Sequence, residues 1–187
     1  MESDSILPQL LLQLVLIAVN ALFAATEIAV ISLNETKVRR MAEGGDRKAA
    51  KMLRMVTEPT GFLSTIQICI TLAGFLGSAF AADNFSDKLV NWLINDCEVS
   101  GVSPSALDTI SVIIITLVLS YFTLVLGELV PKRIAMKRPE GIARAVSGLM
   151  IGMTTVLRPV IWLLTVSTNG VLRLCGIDPK DNAEEVS

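Results

Sequence analysis

Histidine is absent from this chain. Its absence removes the commonest ligand of zinc and copper, and the side chain that switches charge near neutral pH. Cysteine is scarce. Cys69, Cys97 and Cys175 are odd in number, fit no zinc spacing, and read as isolated small hydrophobes. Charged residues make up 18% of the chain, against about a quarter in an ordinary soluble domain. No basic patch interleaved with aromatics suggests nucleic acid. No nucleophile–base pair and no phosphate loop is evident, which points away from an enzyme. Any ion bound by such a chain should be a hard one, held by oxygen.

What the chain does have is long apolar runs. The first extends from Ile6 to Leu33 with Glu27 as its only charge, the second from Pro59 to Ala82, and the third from Thr109 to Gly127, the last two uncharged. Each approaches or exceeds the ~20 residues that a spanning helix needs. The N-terminus, Met-Glu-Ser-Asp-Ser, is acidic where a secretory leader starts basic, so the first run reads as a retained transmembrane helix. A fourth stretch, Ala145 to Leu172, carries Arg158-Pro159 at its middle, which leaves uncharged halves of 13 and 14 residues. An arginine at the bilayer centre costs about 2.5–3.5 kcal/mol on insertion scales, and proline kinks or breaks a helix. A bent, juxtamembrane or re-entrant helical pair is therefore expected there, not a fourth span.

Loop charge orients the spans. Segment 34–58 has seven bases and four acids, segment 83–108 one base and five acids, and segment 128–144 five bases and two acids. The positive-inside rule puts the two basic segments in the cytoplasm and the acidic one outside. The N-terminus is then outside and the C-terminus cytoplasmic. Segment 36–56 reads as one basic amphipathic helix capped by Asn34 and lying on the inner leaflet. Asn91 to Asn95 reads as a short interfacial helix anchored by Trp92. Residues 176–187 read as an acidic linker after a transmembrane domain of residues 1–175, with a soluble module expected beyond it.

Two acids lie within or at the ends of spans, both toward the inner side: Glu27 and Glu128. Ionisable residues in a membrane are costly and default to a functional role. Pro131 has no N–H, and its ring pushes away the carbonyl four residues back, that of Gly127. The expected helix break would set a freed carbonyl beside a carboxylate, the start of a hard-cation site. The alternative is that Glu128 ends the helix and pairs with Lys132, four residues on. Helix 1 adds Asn20 and Thr26. In helix 2, Ser64, Gln67 and Thr71 share one face, serving either the same site or interhelical hydrogen bonding. Gly74, Ser78 and Ala82 form a small-xxx-small pattern suited to close helix contact, and a homodimer is plausible.

The segments FAATEIAVISL, LSTIQICITLAGFLGSAFA and LGELVPKRIAM together resemble the transmembrane domain of the CorC/CNNM family, bacterial members of which are called haemolysin-like or CBS-domain proteins. The resemblance runs from about Leu10 to the tail, and G-E-[LIV]-V-P-[KQ] is its most specific element. It implies an all-α membrane protein with three transmembrane helices plus juxtamembrane helices, homodimeric in a bacterial plasma membrane. It further implies Mg²⁺ export, coupled to Na⁺ influx, and a CBS module after residue 187 that binds adenine nucleotide. Carried over by residue, the family's acid falls on Glu128, its neighbouring carbonyl on Gly127, its helix break on Pro131 and its helix 1 polar motif near Thr26 and Glu27; the helix 2 face of Ser64, Gln67 and Thr71 would complete this metal site as polar lining. Many family members have an amide where this chain reads Cys69-Ile70-Thr71, and Gln67 is the candidate substitute. A cation sensor that signals without transport, or a pure anchor and dimerisation unit, are the competing expectations.

Overall fold

The computed structural model describes residues 6–95 and 104–176, and among these it is helical with short connections. The helices are α1 (Ile6–Ile31), α2 (Glu35–Glu43), α3 (Arg47–Thr57), α4 (Pro59–Asn95), α5 (Pro104–Leu124), a π turn (Val125–Leu129), α6 (Val130–Lys137), α7 (Pro139–Val156) and α8 (Arg158–Leu174). Three stretches are long and apolar enough to cross a membrane: Ile6–Ile31, Pro59–Ala81 and Ser105–Lys137. The pair α7 and α8 bends by 67° at Leu157, where Arg158-Pro159 follows, and would make a fourth crossing only as a broken span. The expected kink is there, for the expected reason: Pro159 cannot donate to the turn before it.

Two expectations need correction. Segment 36–56 is not one helix but a hairpin of α2 and α3. Gly44 and Gly45 interrupt it, and Gly45 has φ +89°, a left-handed conformation that side chains disfavour. Asp46 then caps α3, accepting from the Lys48 and Ala49 amides. The segment 91–95 is not a separate helix either. It is the last part of α4, whose 37 residues span about 55 Å at 1.5 Å per residue. Such a helix exceeds the ~30 Å hydrocarbon core and projects beyond it. Residues 96–103 of the acidic connection, with Cys97, and the 177–187 tail lie outside the described residues.

α1 is the centre of the fold, packing on α4, α6, the π turn and α7. One cluster joins Phe23 and Val30 of α1 to Phe62 and Ile66 of α4, Met55 of α3 and Met150 of α7. A second, under the hairpin, joins Ala29 and Leu33 to Val38, Met52, Ala135 and Ala143. The apolar effect drives the hairpin's burial. Between spans lipid is as apolar as leucine, so close packing and polar contacts must hold the helices together. The Thr65–Thr154 hydroxyl pair at 3.0 Å, linking α4 to α7, is one such contact.

Polar contacts also fasten the hairpin. Arg144 of α7 reaches Asp46 at 2.7 Å, and Lys37 of α2 pairs with Glu140 of α7. The Ala49 amide, then that of Lys48 and the Arg144 guanidinium, outweigh burial and hold the Asp46 carboxyl below its ordinary 3.8. A carboxyl with a lowered folded pKa stabilises above its unfolded pKa, and loses that stabilisation as pH falls through the folded one. Asp46→Ala should therefore lower the melting temperature at pH 7, and the gap to wild type should narrow below about pH 4. Melting curves at the two pH values check this.

Candidate cation site

The inner end of the third span carries the chemistry. Pro131 does not break the helix. The chain widens into a π turn, in which the Val130 N–H bonds to the Val125 carbonyl, and the helix continues through Lys137. A wide turn relieves the clash that a proline ring creates in a regular α-helix, and π turns often mark functional positions. The Gly127 carbonyl is diverted as expected, but it is not left unpaired. It accepts from Asn20 Nδ2 of α1 at 3.1 Å. A carbonyl oxygen has two lone pairs, so one remains for another ligand. Glycine suits this contact: a Cβ on Gly127 would lie 3.1 Å from Asn20 Nδ2 and 3.4 Å from the Ile17 carbonyl and would press on it.

Glu128 and Glu27 converge on one ammonium. Lys132 Nζ lies 2.8 Å from Glu128 Oε1 and 3.0 Å from Glu27 Oε2. The Glu128–Lys132 pair is the i, i+4 contact that helical spacing predicts. Glu27 comes from another helix, so the lysine ties α1 to α6. The three side chains are about a quarter to a third exposed and together leave one negative charge uncompensated.

Each carboxylate opens on a cavity. Glu128 borders a space of about 430 Å³ with Thr71, Gly74, Ser78, Ser120 and Thr123. Glu27 borders another, about 710 Å³, with Ser64, Gln67, Thr71 and, from α8, Thr168. Thr71 lines both, and Gln67 Nε2 reaches its hydroxyl at 3.4 Å. The shared face of Ser64, Gln67 and Thr71 therefore meets the two acids.

Thr26 does not join them. It is fully buried, and its hydroxyl donates to the Leu22 carbonyl of its own helix at 2.7 Å. One residue along a helix turns about 100°, so Thr26 cannot share the face of Glu27. The structure places Asn20 at the π turn, extends Lys132 from a partner of Glu128 to a link between both acids, puts Ser78 in the lining, and adds Ser120 and Thr123 as further hydroxyls. Among the described residues, no three histidine, cysteine or acidic side chains cluster as a metal cage. A cation at the place of Lys132 Nζ would lie within reach of two carboxylates, with hydroxyls and the Gln67 amide in the adjoining spaces, a hard set that leaves room for water; Gly127 borders neither space.

Comparison with known proteins agrees with this architecture. The family model described as the Cyclin M transmembrane N-terminal domain matches residues 11–187. A UPF0053 protein of Synechocystis sp. is 37% identical over 181 residues, 97% of this chain and 40% of that protein. The polyamine export protein of Haemophilus influenzae is 29% identical over 159 residues, covering 85% of this chain and 36% of its own. An uncharacterized protein of Mycobacterium tuberculosis is 30% identical over 179 residues, covering 96% and 50%. The chain thus spans half or less of the length of these relatives. By the extent of these matches and by its apolar helices, the chain belongs to the CNNM transmembrane family and is a multi-pass membrane domain.

Proposed function

We propose that this domain transports Mg²⁺, exporting it through the site between α1, α4 and the π turn, with Na⁺ as the coupling ion. The observation that carries this is the convergence of Glu27 and Glu128 on a single ammonium, beside two largely apolar spaces into which hydroxyls and the Gln67 amide are set. Mg²⁺ dehydrates reluctantly and keeps several waters, which suits an incomplete cage of two carboxylates and nearby hydroxyls. In this arrangement Lys132 occupies the position of the cation. A divalent ion that displaces it meets two carboxylates that neutralise it fully. Helices α2 and α3 carry an excess of basic residues, which by the positive-inside rule supports a cytoplasmic position for this end. The apolar side of α5, with Ile113, Leu117 and Tyr121 exposed, would face lipid and a second copy. A CBS module beyond residue 187 would regulate it.

A second reading is favoured by one feature. The site already holds a primary ammonium, that of Lys132, and one relative is a polyamine export protein. An aliphatic polyamine could displace the lysine in the same way, with its chain along the larger cavity. A sensor that binds cations without moving them is the third.

Thermal unfolding against Mg²⁺, Ca²⁺, Na⁺ and spermidine separates the ligands. A ligand at 100 times its Kd adds about 2.7 kcal/mol of stability. Mg²⁺ should stabilise the wild type selectively, and labelling of Lys132 by an amine-reactive reagent should rise as Mg²⁺ saturates. Selective stabilisation by spermidine would favour the second reading, and no response to any of them would remove both. Mg²⁺ flux in membranes bearing the full-length protein separates transporter from sensor.

A further inference from the structure

The acids and Lys132 use only one end of the polar face of α1. Gln13, Asn20 and Glu27 recur at seven-residue intervals and so fall on one side of the helix. Gln13 is 6% and Asn20 3% exposed, yet Gln13 Oε1 and Asn20 Oδ1 have no hydrogen-bond partner. Buried polar atoms without partners are rare and ask for an explanation.

Gln13 borders a cavity of about 10 Å³ with Ile17, Ala73, Gly74, Gly77 and Thr123. That is about the room of one water. Gly74 and Thr123 also wall the 430 Å³ cavity that holds Glu128, so the two spaces adjoin. About one turn farther from Glu128, Gln9 Nε2 donates to Asn84 Oδ1 of α4 at 3.2 Å. A polar seam therefore runs along α1, meeting α6 at Glu27, the π turn at Asn20, and α4 at Gln13 and Gln9. Its tight point is at Gly77, where a Cβ would lie 3.3 Å from Gln13 Nε2.

We infer that the Gln13–Gly77–Thr123 constriction is the gate of the cation route at the end away from the basic hairpin. Gln13 Oε1 and the Thr123 hydroxyl are the oxygens that receive a partly dehydrated cation from the Glu128 cavity. Neutral amide and hydroxyl ligands suit this step, because a conducted ion must bind well enough to enter and weakly enough to leave. Glycine at 74 and 77 presents backbone only, so a small tilt of α4 against α1 opens or shuts the seam. The inference rests on the transport reading above.

The test is Mg²⁺ flux through the full-length protein in membranes, paired with Mg²⁺-dependent thermal stabilisation. Gln13→Leu keeps the bulk and removes the oxygen. Flux should fall at least tenfold while stabilisation by Mg²⁺ persists. Gly77→Ala narrows the seam from the opposite wall and should lower flux too, which keeps the idea testable if Gln13→Leu does not fold. Wild-type flux in a folded variant of either kind overturns the gate. So does loss of stabilisation together with flux, which would make Gln13 a packing residue. Glu128→Gln separates the two levels. If it transports normally the transport reading fails, and if it is inactive while Gln13→Leu is not, the gate alone fails.

Discussion

Glu128→Gln is expected to reduce Mg²⁺ transport by at least about 10–100-fold, the loss seen when even the supporting groups of metal ligands are removed. The substitution preserves shape and removes the charge that faces the 430 Å³ cavity. It also leaves Lys132 with Glu27 alone, so the remaining site carries no excess negative charge. Both effects weaken cation binding. Thermal stabilisation by Mg²⁺ should be lost, while stability without Mg²⁺ should change little, because partly exposed ion pairs contribute about 0–1 kcal/mol. Full-length protein in a Mg²⁺ efflux assay, beside the melting titration, reads both. Normal efflux in the variant would exclude Glu128 from the route.

Gly127→Val should be the most damaging substitution for the fold of the site. Its Cβ meets Asn20 Nδ2 at 3.1 Å, tighter than ordinary contact, and the Ile17 carbonyl at 3.4 Å, and the two valine methyls add bulk beyond it. Overpacking typically costs about 1–3 kcal/mol. Pushing α1 away also strips the Asn20 amide of the Gly127 carbonyl, and a buried orphan donor costs about 1–3 kcal/mol more. A loss on the order of 3 kcal/mol overall is expected, with transport lost alongside it. Asn20→Ala in the same background tests the cause. It should restore part of the stability of Gly127→Val, since the clash is chiefly with that side chain. No recovery would mean that the Ile17 backbone contact dominates.

Part of this site is legible in residue order. Glu128, Gly127 and Pro131 lie within five residues, so their relation is local chemistry: proline diverts a known carbonyl. The folded chain differs in form because a helix can absorb a proline by widening as well as by breaking, and contacts with α1 favour the widened turn. Ser64, Gln67 and Thr71 are legible as one face because helical periodicity fixes their mutual direction. Thr26 misleads because adjacency to Glu27 along the chain is divergence on a helix. The hairpin of α2 and α3 is hidden by amphipathic spacing that continues across Gly44 and Gly45. Those two glycines and Asp46 are the available signal.

Residue order alone determined the membrane class, the three candidate spans, the bend at Arg158-Pro159 and the acid beside the proline. Each of these follows from composition or from contacts within one or two turns. Only the tertiary structure decided that Lys132 joins Glu27 to Glu128, that Asn20 donates to the Gly127 carbonyl, and that Gln13 closes on Gly77. These contacts cross between helices, most of them far apart along the chain. In lipid, where the apolar effect does not choose partners, packing shape and buried polar groups decide which faces meet.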